Sequence, residues 1–191
     1  HRARVGALVM MLAGLRRGEL IPLTWDDIDL DGLKISVTKS AECKNGNRFE
    51  VKPGTKTAWG RMVDITLDLA LVLQEAKKAA TSKYVCPRSN GQMHTLISWR
   101  RMWSSYIKSL GKAPGAEQTN IQEITAHYLR HTYATLLYLS GVDVLTAAKL
   151  LGHSNVKTTL AIYTHLDDLI LSKSVDKLDS YLSSALFRSL A

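Results

Sequence analysis

Three apolar runs in this chain keep helical period and then stop on a glycine. "ARVGALVMMLAG" closes at Gly14, "AHYLRHTYATLLYLSG" at Gly141 and "DVLTAAKLLGH" at Gly152. Apolar residues that recur every three or four positions give a helix one buried face. A glycine just past the last of them supplies the left-handed residue on which helices end. Asp143 stands where an N-cap belongs, ready to take up free N–H groups of the first turn. A chain punctuated in this way packs several short helices about a shared core.

Other helical stretches follow the same grammar. "RRGELIPLTWDDID" restarts a helix that Pro22 breaks. "TLDLALVLQEAKKAAT" carries Thr66 as a cap, and "SNVKTTLAIYTH" opens on a Ser/Asn cap. In "TLISWRRMWSSYIKSLG" the residues Trp99, Trp103 and Ile107 recur at spacing four, a stripe that reads as core packing before base stacking. After Tyr163 comes an amphipathic tail with Leu171, Val175, Leu178, Leu182 and Leu186 along one stripe. Between the helices, "GLKISVTKS" alternates like a strand, and "NRFEVKPGTKTAWGRMVDI" reads as two more strands around the turn residues "PGTKTAWG". The expected fold is α+β, mostly helical, with a small antiparallel sheet.

Charge narrows the partners. Lys and Arg number 25 against 17 Asp and Glu, a formal net charge of +8. That excess points to a polyanion, with nucleic acid ahead of a membrane surface. Cys43 and Cys86 are too few for a disulfide framework and show no CxxC spacing, which fits a reducing, cytoplasmic setting. No apolar run reaches transmembrane length. "VGALVMMLAGL" runs directly into "RRGEL" without a cleavage pattern, so it reads as a core helix and not as a signal peptide. The chain starts at His1 without Met, as a fragment of a longer protein would.

The basic residues gather in four places. In "HYLRH", His127 and His131 stand four apart, the spacing of two zinc-binding histidines on a helix. Arg130 lies between them, where it would repel a cation, and no carboxylate shares the turn. At 100° per residue, Leu129, Tyr133, Leu136 and Leu137 form a core arc, with His127, Arg130 and His131 on the arc beside it. Two histidines and an arginine at the rim of a core suit a bound anion; a metal site and a solvated polar edge are the other readings. Arg16 and Arg17 follow Gly14 at a helix start, where an arginine fork can grip phosphate, and Glu19 can brace one of them. Lys56 lies in the strand-to-strand turn. His153 follows Gly152, and Tyr163 comes at the end of the next helix pattern.

Taken together, "GLRRGELIPLTWDDID", "TKT", "HYLRHTYATLL" and "LLGHSNVKTTLAIYTH" resemble the tyrosine recombinase (phage integrase) family in residues, order and separation. The resemblance runs from the first helix to Tyr163. "LAGLR" replaces the commoner "TGLR", and the stretch "SAECKNGNRFEVKPG" is somewhat long for the family. The resemblance implies a DNA breaking-rejoining catalytic fold: helices around a three-stranded antiparallel sheet. It implies Tyr163 as nucleophile, Arg16 and Arg130 as clamps on the scissile phosphate, and Lys56 as general acid. His127 would assist proton transfer and His153 would hydrogen-bond the phosphate. Glu19 and His131 would be supports, with Arg17, Lys39 and Lys157 on the DNA. No metal and no other cofactor is implied, since fixed cations do the work often given to Mg²⁺.

The expected partner is double-stranded DNA, without a membrane. Residues 1–191 would form a single catalytic domain whose tail begins near 166, lacking the N-terminal DNA-binding domain of family members. Such an isolated domain would be a monomer, and the full-length protein a homotetramer on DNA. Competing readings are a non-catalytic DNA-binding module, a metal-dependent nuclease using His127 and His131, and a relaxing topoisomerase.

Overall fold

The computed structural model describes residues 1–43, 46–54, 60–118 and 120–167. Helix α1 (Ala3–Ala13) lies at the centre. Its residues Val9, Met10 and Ala13 are fully buried, and it packs against α3 (Leu67–Lys78), α4 (Leu96–Leu110) and α5 (Ala126–Leu139). Short α2 (Arg17–Leu20) follows α1 and ends ahead of Pro22. Then α6 (Val144–Leu151) and α7, residues 156–167, complete the helical part. The caps fall where the sequence puts them. Thr66 accepts from the Leu69 N–H, and Asp143 from those of Leu145 and Thr146. Asn155 Oδ1 accepts from the Lys157 N–H at the start of α7.

The strands form two sheets. β1 (Ile28–Asp29), β2 (Lys34–Val37) and β5 (Arg61–Asp64) make an antiparallel sheet in the order β1-β2-β5, with Ile35 opposite Val63. β3 (Lys39–Glu42) and β4 (Glu50–Pro53) pair separately, with Ala41 opposite Val51. The stretch "GLKISVTKS" therefore does not run as one strand. It breaks at Thr38, whose carbonyl accepts from the Gly54 N–H at 2.7 Å and so closes the β3–β4 hairpin. Ile35, Val37 and Val63 turn inward beneath the helices.

The aromatic stripe of α4 is core. Trp99 is buried and stacks on Trp103 at 5.8 Å between centroids, and the Trp103 indole N–H donates to the Ile124 carbonyl. On α5 the buried side is Arg130, Tyr133 and Ala134, with Leu137 half-buried. Leu136, expected in the core arc, is 39% exposed. It lies about 100° round the helix from the middle of that stripe, because α5 turns Arg130 toward the core. Tyr133, Ala134 and Leu151 form a second, smaller core where α5 and α6 meet, with Ile162 of α7 against it. Both cysteines are free thiols, and burial pushes Cys86 up to about 12. No helix among the described residues is long and apolar enough to cross a membrane. The tail stripe from Leu171 to Leu186 lies outside the described residues.

Candidate active site

Two helix ends create the site. The C-terminal carbonyls of a helix lack intrahelical donors and carry its negative dipole end, so they attract cations. Helix α1 ends at Gly14, which is left-handed (φ 65°), and α6 ends at Gly152, also left-handed (φ 63°). Arg130, 4% exposed, reaches both ends: Nη1 donates to the Gly14 carbonyl and Nη2 to the Leu151 carbonyl. Arg16 Nη2 donates to the Gly152 carbonyl at 3.0 Å. A Cβ on Gly14 would sit 2.4 Å from the Tyr133 ring, so α1 and α5 approach this closely only with glycine there. Burial, then neighbouring Arg16, pushes Arg130 down to about 9, which leaves it a cation at neutral pH.

Glu19 holds the second arginine. Its carboxylate is buried and accepts from the Arg16 backbone N–H at 2.9 Å and from Arg16 Nη1 at 3.0 Å. Arg61, on β5, closes a fork on the same carboxylate, with Nη1 and Nη2 each at 2.9 Å. Burial alone would raise the Glu19 carboxyl. The Arg61 fork, with Arg16 behind it, outweighs burial and holds it below the usual carboxylate range. Sequence reading missed Arg61. In "GRMVDI" it is an ordinary strand-edge cation, and nothing local links it to a carboxylate 42 positions away.

Arg16, Arg17, Gly18, Thr125, Ala126, His127 and Arg130 line a cleft of about 370 Å³. His127 stands in the first turn of α5, with the His131 ring edge-on to it at 4.5 Å between centroids. Burial, His131, Arg130 and Arg16, in that order, hold the His127 imidazole below its ordinary value. His127 and His131 are both exposed at the surface of α5. His153 Nδ1 shares a 2.8 Å hydrogen bond with the hydroxyl of fully buried Thr159. Burial first, then Arg130 and Arg16, pushes His153 down to about 4, so its imidazole is neutral at pH 7.

Tyr163 is apart from this group. It sits on α7 with its ring buried edge-on to Tyr138, and its hydroxyl donates to the Val142 carbonyl at 3.0 Å. Val142 lies just before α6, whereas Arg130 binds that helix's far end; at 1.5 Å per residue the separation is about 12 Å. The eight positions from Arg130 to Tyr138 along α5 give the same figure of about 12 Å. Burial, then Asp143, raises the Tyr163 phenol. Among the other expected residues, Arg17 is exposed at the cleft rim and Lys157 is exposed on α7. Lys39 pairs with Asp27 at 2.8 Å. Lys56 lies outside the described residues.

A fold of short helices around a small sheet, with two arginines at one helix-end cleft, defines the class. The phage integrase family profile matches residues 1–169, and the chain belongs to that family. It is similar to a tyrosine recombinase XerC-like protein of Caldanaerobacter subterraneus subsp. tengcongensis, 33% identical over 87% of this chain and 46% of that protein. It is also similar to the ICEBs1 integrase of Bacillus subtilis, 30% identical over 91% and 48%, respectively. The chain thus spans about half the length of these curated relatives. Among solved structures, the Tn1549 transposon integrase in complex with a circular intermediate DNA shares the fold: TM-score 0.73, 22% identity, 85% of this chain and 54% of that one. A crystal structure of XerA recombinase matches with TM-score 0.65 and 26% identity, over 92% and 56%.

Proposed function

We propose that residues 1–191 form a single catalytic domain of a site-specific DNA recombinase or integrase that cuts and rejoins duplex DNA through Tyr163. The observation that carries this reading is the pinned pair of arginines. Arg16 and Arg130 are fixed by helix-end carbonyls in one cleft beside His127. Two fixed guanidinium groups suit the non-bridging oxygens of a phosphodiester, where charge develops in phosphoryl transfer.

The steps balance without a cofactor. Tyr163 Oη attacks the scissile phosphorus while His127, neutral because its pKa is depressed, takes the phenolic proton. The bond from phosphorus to the 5′-oxygen breaks, and Lys56 supplies a proton to the departing hydroxyl. The product is a 3′-phosphotyrosine that keeps the bond energy of the diester. The 5′-hydroxyl of a second strand then attacks that phosphorus and gives its proton back to Lys56, while the tyrosine oxygen leaves and recovers its proton from His127, so no ATP is consumed. With the Thr159 hydroxyl donating to Nδ1, His153 holds its own proton on Nε2 and donates it to a phosphate oxygen. In this reading Glu19 braces Arg16, His131 supports His127, and Arg17, Lys39 and Lys157 meet the DNA backbone. Exchange between two duplexes calls for a tetramer on DNA. Tyr163 first leaves the Val142 carbonyl and moves toward the end of α6 that the arginines hold, a repositioning that DNA binding drives.

The test is a pool of nicked duplexes of randomised sequence, in which the broken strand cannot be rejoined. Wild type should give a protein–DNA adduct that survives detergent and heat, and Tyr163→Phe should give none. Addition of EDTA should leave the yield unchanged. Equal adducts from both proteins, or no adduct from either, would sink the reading; loss with EDTA would favour a metal-dependent nuclease.

A further inference from the structure

The geometry points to Arg61 as a positioning residue that sets the charge of the phosphate cleft by sharing Glu19 with Arg16. The inference rests on the cleft being the anion site proposed above.

Three side chains form one knot around the buried carboxylate of Glu19. Glu19 Oε1 accepts from Arg16 Nη1 and Arg61 Nη1; Oε2 accepts from the Arg16 backbone N–H and Arg61 Nη2. Every bond is 2.9 or 3.0 Å. A lone Arg16–Glu19 pair would be neutral, and Arg16 would meet a phosphate with its charge already spent on the carboxylate. With Arg61 on the other side, the trio carries one net positive charge in a place with little water to screen it. Arg61 is not in the cleft lining. It acts through Glu19.

The surroundings of Arg61 fit that role better than one of simple packing. Its Nε is buried and has no hydrogen-bond acceptor among the described residues. Both terminal nitrogens go instead to the carboxylate, in a two-pronged geometry that lysine cannot reproduce. The backbone of Gly152 lies against the guanidinium, and a Cβ there would come within 2.8 Å of Arg61 Nε. The same Gly152 offers its carbonyl to Arg16. One residue at the end of α6 thus seats both arginines.

The test uses inorganic phosphate as probe, read by NMR at the His127 and His153 ring protons in the full chain. Wild type should bind saturably. Arg61→Met, which leaves a neutral Arg16–Glu19 pair, should weaken phosphate about tenfold, the scale of one charge-assisted hydrogen bond. Glu19→Gln with Arg61→Met restores the net charge and should return affinity to within about threefold of wild type. A purely structural Arg61 predicts the reverse, with the double variant no better than the single. Should Arg61→Met fail to fold, Glu19→Gln alone decides: tighter phosphate supports the inference, and unchanged or weaker binding overturns it. If wild type binds and Arg61→Met binds equally well, Arg61 does not tune the cleft. If wild type shows no phosphate binding at these histidines, the anion-site reading fails, and this inference with it.

Discussion

Arg130 does two jobs with one guanidinium. It presents charge to the cleft and it satisfies carbonyls at the ends of two helices. Arg130→Ala removes both donors at once. A buried acceptor left without its partner costs about 1–3 kcal/mol, so urea unfolding should register a loss on the order of 2–5 kcal/mol. Arg130→Lys keeps the charge but loses the fork, and adduct formation should fall by about 10²-fold with a smaller effect on stability. His94 and His153 make a different prediction. Burial pushes both down to about 4 from the ordinary 6.5. The unfolded chain takes up protons from about pH 6.5 downward, whereas the folded chain resists until near pH 4. Stability is therefore whole above pH 6.5 and is lost as pH falls toward 4. Thermal melts should show the midpoint dropping by on the order of 5 °C across that window, and replacing both histidines by glutamine should flatten the fall.

At the scale of elements, the glycine stops matter more than the helices they close. Gly14 lets α1 end in a left-handed turn under the Tyr133 ring and aims its carbonyl at Arg130. Gly14→Ala strains the backbone and drives a methyl into that ring. The expected cost is about 2–4 kcal/mol, read by denaturant unfolding, with a loss of adduct formation larger than the loss of folded protein. An unchanged unfolding midpoint would mean that α5 can slide off α1 freely. Helices α1, α3, α5 and α6, the caps at Thr66 and Asp143 and the glycine ends were legible in sequence, because each rests on residues within a turn of one another; the caps Thr95 and Thr125 were not singled out. The sheet was legible only in part. Pairing joins distant residues, and nothing in "GLKISVTKS" marks Thr38 as the point where the chain leaves one sheet for another. Leu136 misled for a related reason: its period is right, but the orientation of α5 is set by the buried Arg130.

For the molecule as a whole, the excess of basic residues makes a salt prediction. A formal charge of +8 should give binding to a random duplex that weakens by about tenfold or more between 50 and 200 mM salt. A flat response would count against a polyanionic partner. Amino-acid type and spacing alone determined the family, the mostly helical α+β class and the list of candidate residues. Those are written in short motifs whose members are neighbours in the chain. Tertiary structure decided which of them meet. It brought Arg16 and Arg130 to one cleft through helix ends that are far apart in sequence. It added Arg61 through a carboxylate on another element. It also held Tyr163 against Val142, about 12 Å along α6 from the arginines. Charge and capping act over a few ångströms along the chain. Which charges come within those few ångströms is settled only when helices and sheet pack, since burial forces each buried donor and acceptor to find whatever partner the fold places beside it.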